Sequence, residues 1–101
     1  MSFIVLPSKK LRKLLKKCQR SGREDLIESV REVADLLAIH DSRALFVLYE
    51  RWRDHALKGN RTGIRELHLT QDNLLLYVVD EESRTVALLD IVTHEELRKK
   101  K

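Results

Sequence analysis

The sequence predicts an α+β fold, with helices packed against one face of a small antiparallel sheet. Three observations predict it. Apolar residues recur at helical spacing through the first half, with Leu11, Leu14, Leu15 and Cys18 at i, i+3, i+4 and i+7. Three short apolar runs close the second half, joined by tight polar links. Helical and strand patterns are segregated along the chain rather than alternating.

In order, Phe3–Leu6 reads as a short strand stopped by Pro7, with Ser8 as the N-cap of the first helix. That helix carries the Leu11–Cys18 stripe and ends at Ser21-Gly22. Glu24 and Asp25 open a second helix at the end where the helix dipole favours acids, and Leu26, Ile27, Val30, Val33, Ala34 and Leu37 form its stripe. These two make an antiparallel helix hairpin. After His40, Asp41 or Ser42 caps a short third helix over 44–52, in which Tyr49 and Trp52 serve packing. Lys58–Gly63 is a turn by composition. Ile64–Thr70, Asn73–Val79 and Thr85–Val92 then form a three-stranded antiparallel meander. Thr93 and Glu96 have the spacing of a capping box for a short C-terminal helix, His94–Lys100.

A chain of 101 residues supports one domain with one modest core, so residues 1–101 are read as a single domain. Hydrophobic content of 43% with 36% charged residues points to a globular chain with a heavily charged surface. The lone Cys18 makes no internal disulfide, the apolar runs are too short to span a membrane, and no signal peptide is evident. The expected location is cytoplasmic. The net charge of +4 is distributed in blocks: residues 1–23 hold eight basic side chains and no acid, and residues 24–42 hold six acids and one Arg. Such a basic first helix is a candidate phosphate-binding surface, weighed evenly against a merely solvated face.

The chemistry centres on histidines. Alternation puts Glu66, His68 and Thr70 on one sheet face and Arg65, Leu67 and Leu69 on the other, so His68 faces out from the core. Asp90 and Val92 share parity on the last strand, and His94 comes just after it. His55 sits in the loop that enters the sheet. Histidines converging on one surface suit acid–base chemistry near neutral pH, and on a basic protein the natural reaction is RNA cleavage. A metal site from His55, His68, His94 and Asp72 is a weaker alternative, because no metal-ligand motif is present.

Asp54-His55-Ala56-Leu57-Lys58-Gly59, Arg65-Glu66-Leu67-His68, Asp72, Leu75-Leu76-Tyr77 and Thr93-His94-x-x-Leu97 together resemble the YafQ branch of the RelE/ParE toxin superfamily. The likeness spans Asp54 to Leu97. It implies a RelE-like fold and the toxin of a type II toxin–antitoxin pair. It further implies a ribosome-dependent mRNA interferase whose metal-independent cleavage uses the 2′-hydroxyl as nucleophile and needs no cofactor. The partners implied are a cognate antitoxin, the ribosome and mRNA. His55, His68, Asp72 and His94 match positions tied to catalysis. The RNA-binding candidates are Lys9, Lys10, Lys13, Lys16 and Lys17 of the first helix, then Arg53, Lys58 and Arg61, and Arg65, Arg84 and Arg98 near the strands.

Four positions depart from the family pattern. Asp90 replaces an Arg, Val92 replaces a Gly, Asn73 comes after the matched Asp in place of an aromatic, and Arg98 stands where an aromatic comes after the last His. A carboxylate at position 90 beside His68 or His94 would favour the imidazolium. Two functions are therefore expected in competition: a cleaving toxin, and a toxin-fold module that binds antitoxin or ribosome with weak or no cleavage.

Overall fold

The computed structural model describes residues 2–99; Lys100 and Lys101, the end of the expected last helix, lie outside the described residues. Strand β1 (Ile4–Pro7) leads into helices α1 (Lys9–Arg20), α2 (Glu24–Ile39) and α3 (Ser42–Trp52). Next come strands β2 (His55–Ala56), β3 (Arg65–His68), β4 (Asn73–Asp80) and β5 (Thr85–Thr93), then α4 (His94–Lys99). The five strands form one sheet in the order β1-β5-β4-β3-β2. β1 runs parallel to β5, and the other pairs are antiparallel.

Local chemistry sets the boundaries. The Ser8 hydroxyl accepts from Leu11 N at 3.0 Å, capping α1, and donates to Leu89 O at 2.7 Å, which fastens the cap to β5. Asp41, rather than Ser42, caps α3 by accepting from Ala44 N at 2.8 Å. Both halves of the expected capping box form: Thr93 N donates to Glu96 Oε1 at 2.8 Å, and Glu96 N to Thr93 Oγ1 at 3.1 Å. Gly22 takes φ 78 at the turn after α1, a conformation that glycine adopts freely.

The main core lies between the sheet and α1–α3, where Leu11, Val33, Leu37, Leu48, Leu67, Leu75 and Val86 are fully buried. A second, smaller core lies on the opposite face. There Leu74, Leu76 and Val92 pack under Leu57, Ile64, Leu89 and Leu97, contributed by the 57–64 loop, β5 and α4. The alternation expected for β3 holds, with Leu67 and Leu69 in the main core. Between Leu76 and Tyr77 the β4–β5 register shifts, so that Leu76 lies opposite Asp90 and Tyr77 opposite Leu88. Tyr49 departs from expectation: it is 64% exposed, while Trp52 alone of the two packs against the core. On an α3 helix buried through Ala44 and Leu48, position 49 turns to the outside.

Candidate active site

The sheet register gathers the histidines. His55 lies opposite Glu66 across β2–β3, and His68 lies opposite Leu74 across β3–β4. His94 begins α4, directly after Thr93, which pairs with Asn73. Around His68 the ring centroids of His55 and His94 stand at 6.3 Å and 5.4 Å. Three of the four expected side chains thus meet, and the fourth, Asp72, joins them through His94 Nδ1 at 3.4 Å.

The three imidazoles are held differently. His55 has both ring nitrogens on acceptors: Nδ1 stands 2.9 Å from Arg53 O, and Nε2 stands 2.7 Å from Glu66 Oε1. Both contacts fix the orientation of the ring and tie β2 to the buried Glu66 side chain. His94 is half exposed and oriented through Nδ1 by Asp72, leaving Nε2 for another partner. His68 is partly buried, and its Nδ1 is enclosed without a partner. Burial lowers its pKa below the ordinary 6.5; Glu66 opposes this, while His94, Arg53 and His55 add to it. His68 is therefore held neutral at pH 7, fit to accept a proton.

The linkage fixes a pH dependence. With a folded pKa below its unfolded value, neutral His68 contributes stability that is complete above pH 6.5 and is lost as pH falls through the folded value. Wild type should lose more of its Tm between pH 7 and pH 5 than His68→Gln does. Parallel melting curves across that range would contradict the depressed pKa.

Glu66 was absent from the expected site residues and belongs to the site. It is 5% exposed, Oε1 engages His55, and Oε2 is buried without a partner. Its signal in the sequence was its place in Arg65-Glu66-Leu67-His68, two residues before His68 on the same face.

Asp90 requires a correction. The carboxylate that acts on His68 is Glu66, and Asp90 is not among the groups that shift it. Asp90 is 8% exposed, accepts from Ile91 N at 2.8 Å and pairs with Lys10 Nζ at 2.9 Å. Lys10, with its pKa raised chiefly by this hydrogen bond to Asp90 and also by Glu96, links α1 to the β5–α4 corner. A second cation at position 90 would face Lys10 and remove the acceptor for Ile91 N. Asp90→Arg should accordingly lower Tm, and adding Lys10→Glu should restore part of it. An unchanged Tm in the single variant would refute this account.

The expected RNA-binding cations are scattered. Arg53 stays near the site, close enough to act on His68, and Arg61 donates to Leu97 O on α4 at 3.2 Å. Lys58, Arg61 and Arg98 line one cavity between the 57–61 loop and α4. Arg65 is on the opposite face, bonded to Asp54 at 2.8 Å and 3.3 Å, and is no part of the histidine site. Arg84 sits in the β4–β5 turn, at the far end of β5 from His94. Of the α1 lysines, Lys10 holds an ion pair with β5; Lys9, Lys13, Lys16 and Lys17 lie along the exposed side of the helix. Among the described residues no three His, Cys, Asp or Glu side chains are gathered as a metal-binding group, and no helix is long and apolar enough to cross a membrane.

Comparison with known proteins places this geometry. The family model described as the bacterial toxin of type II toxin–antitoxin system, YafQ, matches residues 5–99. A metal-bound toxin from Helicobacter pylori is 30% identical over 94% of this chain and 98% of its own, with a TM-score of 0.75. In the E. coli DinJ–YafQ toxin–antitoxin complex, the matched chain is 22% identical over 96% of this chain and 98% of its own, with a TM-score of 0.71. YafQ from E. coli strain BL21(DE3), also 22% identical, covers 92% of this chain and 94% of its own at a TM-score of 0.69. The two E. coli matches show the shared fold. No curated protein matches the chain. On the family match and the Helicobacter relative, the chain belongs to the YafQ family of type II toxin–antitoxin toxins, within the RelE/ParE superfamily.

Proposed function

We propose that this toxin is a ribosome-dependent endoribonuclease that cleaves mRNA by acid–base chemistry. The observation that carries the reading is one neutral, partly buried imidazole, His68, flanked on one sheet face by His55 and His94. His68 takes the proton of a ribose 2′-hydroxyl, and the 2′-oxygen attacks the adjacent phosphorus. The bond to the 5′-oxygen breaks, and His94, oriented by Asp72, returns a proton to that leaving oxygen. The products are a 2′,3′-cyclic phosphate and a 5′-hydroxyl end. His55, fixed between Arg53 O and Glu66, holds the flank of the site beside His68. No cofactor enters this scheme. A cognate antitoxin, as in the DinJ–YafQ complex, is the proposed inhibitor, and the cytoplasm the proposed place of action.

Primer extension on mRNA after induced expression tests the reading. New 5′ ends within translated codons are expected; their absence, with growth still arrested, would sink it. A second reading rests on Asp90: with Lys10 it forms a neutral pair where the family pattern has a cation. A toxin lacking that cation and unable to cleave would still bind ribosomes or antitoxin while making no new ends.

A further inference from the structure

A cleft beside the histidines shares only His68 with the cleavage steps. It occupies about 430 Å3 between the last turn of α3 and the end of β3, and its lining includes Arg51, Trp52, Arg53, His68, Thr70 and Gln71. β2 pairs with β3 only through Arg65 and Glu66, so the cleft runs along the stretch of β3 beyond β2. One wall is therefore His68 itself.

Three features mark it as a binding site. First, its lining holds two arginines and no acid, and neither Arg51 nor Arg53 has an acid partner among the described residues. Second, Arg53 is held at φ 52, a left-handed conformation costly for a residue with a Cβ, and its backbone closes α3 while its charge acts on His68. Third, three buried side-chain polar atoms lack a partner among the described residues, and two of them, Trp52 Nε1 and His68 Nδ1, belong to residues of this lining. Enclosed polar atoms are normally paired, and exceptions mark places where a ligand or a water is wanted.

We propose that this cleft is a nucleotide subsite, holding the residue of the RNA next to the scissile phosphate. Arg51 and Arg53 take a backbone phosphate; Trp52, Thr70 and Gln71 face the base edge. The C-terminal end of α3 carries roughly half a negative charge, which opposes an anion there, so binding depends on the two full guanidinium charges. This inference rests on the RNA-cleaving reading and adds the subsite through which sequence preference would enter.

Trp52 is the only tryptophan, so its indole N–H is a single reporter. The full chain is titrated with a hexanucleotide RNA carrying 2′-methoxy groups, which cannot be cleaved. The indole resonance and those of His68 and His94 should shift with one midpoint. Arg51→Ala and Arg53→Gly should each raise Kd about tenfold. Glycine suits φ 52, so Arg53→Gly removes the charge while relieving the backbone. Gln71→Ala should broaden the codon profile of the mapped 5′ ends. If the histidines shift while the indole stays fixed and Arg51→Ala binds like wild type, the subsite is overturned and the cleaving reading stands. If nothing shifts at millimolar RNA, the subsite is likewise overturned, and primer extension decides the cleaving reading separately.

Discussion

Induction of a His68→Ala variant is expected to leave growth unarrested, with mRNA cleavage reduced by roughly 10²- to 10⁴-fold. The size of the effect comes from the loss of a positioned proton acceptor. His55 is a poor substitute, because both of its ring nitrogens are engaged, by Arg53 O and by Glu66. His94 is oriented through Nδ1 by Asp72, and in the proposed scheme it protonates the leaving oxygen. The fold should survive, since His68 pairs with Leu74 through backbone groups and its ring belongs to neither core. The pH profile sharpens the test. Wild-type cleavage should fall on the acid side as His68 becomes protonated, at a pH below its ordinary 6.5. His68→Ala should flatten that limb. Cleavage at wild-type rate in His68→Ala would transfer the proton acceptor to Glu66, whose Oε2 is buried and unpaired on the same face.

The parts of this site that were legible in the sequence are those set by short-range periodicity. Two-residue alternation placed His68 opposite the Leu67/Leu69 face, and the Thr93–Glu96 spacing placed His94 at a helix start. What was not legible depends on pairings between distant segments. β2 is two residues long, too short for any pattern, yet it carries His55 to Glu66. Glu66 read as an outward residue, but the 57–64 loop and α4 build a second small core on that face, and Glu66 ends 5% exposed. Asp90 read as a neighbour of the histidines because strand parity says nothing about a register shift. With the shift at Leu76/Tyr77 and the start of α1 fastened to β5 by Ser8, its partner is Lys10, eighty residues earlier.

The largest expected effect on stability lies on the other side of the sheet. Asp54 directly precedes His55, and its side chain serves the core face instead. It is 9% exposed and receives Arg65 through Nη2 at 2.8 Å and Nε at 3.3 Å. The Tyr77 hydroxyl, on a side chain 1% exposed, donates to the same carboxylate. Burial, reinforced by that hydrogen bond, pushes the Tyr77 pKa well above its ordinary 10.0, so the phenol stays protonated as the donor. Asp54→Ala would strand the buried hydroxyl, at a cost of about 1–3 kcal/mol, and leave the half-buried Arg65 without its counter-charge. A combined loss of roughly 3 kcal/mol is expected, which in a chain of this size lowers Tm by about 10–20 °C. Tyr77→Phe removes the donor together with its need for an acceptor, so its loss should be smaller, about 1 kcal/mol. In the double variant the two effects should fall short of additivity, because Asp54→Ala then strands no hydroxyl. If Asp54→Ala melts like wild type, or the two losses simply add, the shared carboxylate is not what holds α3 to the sheet.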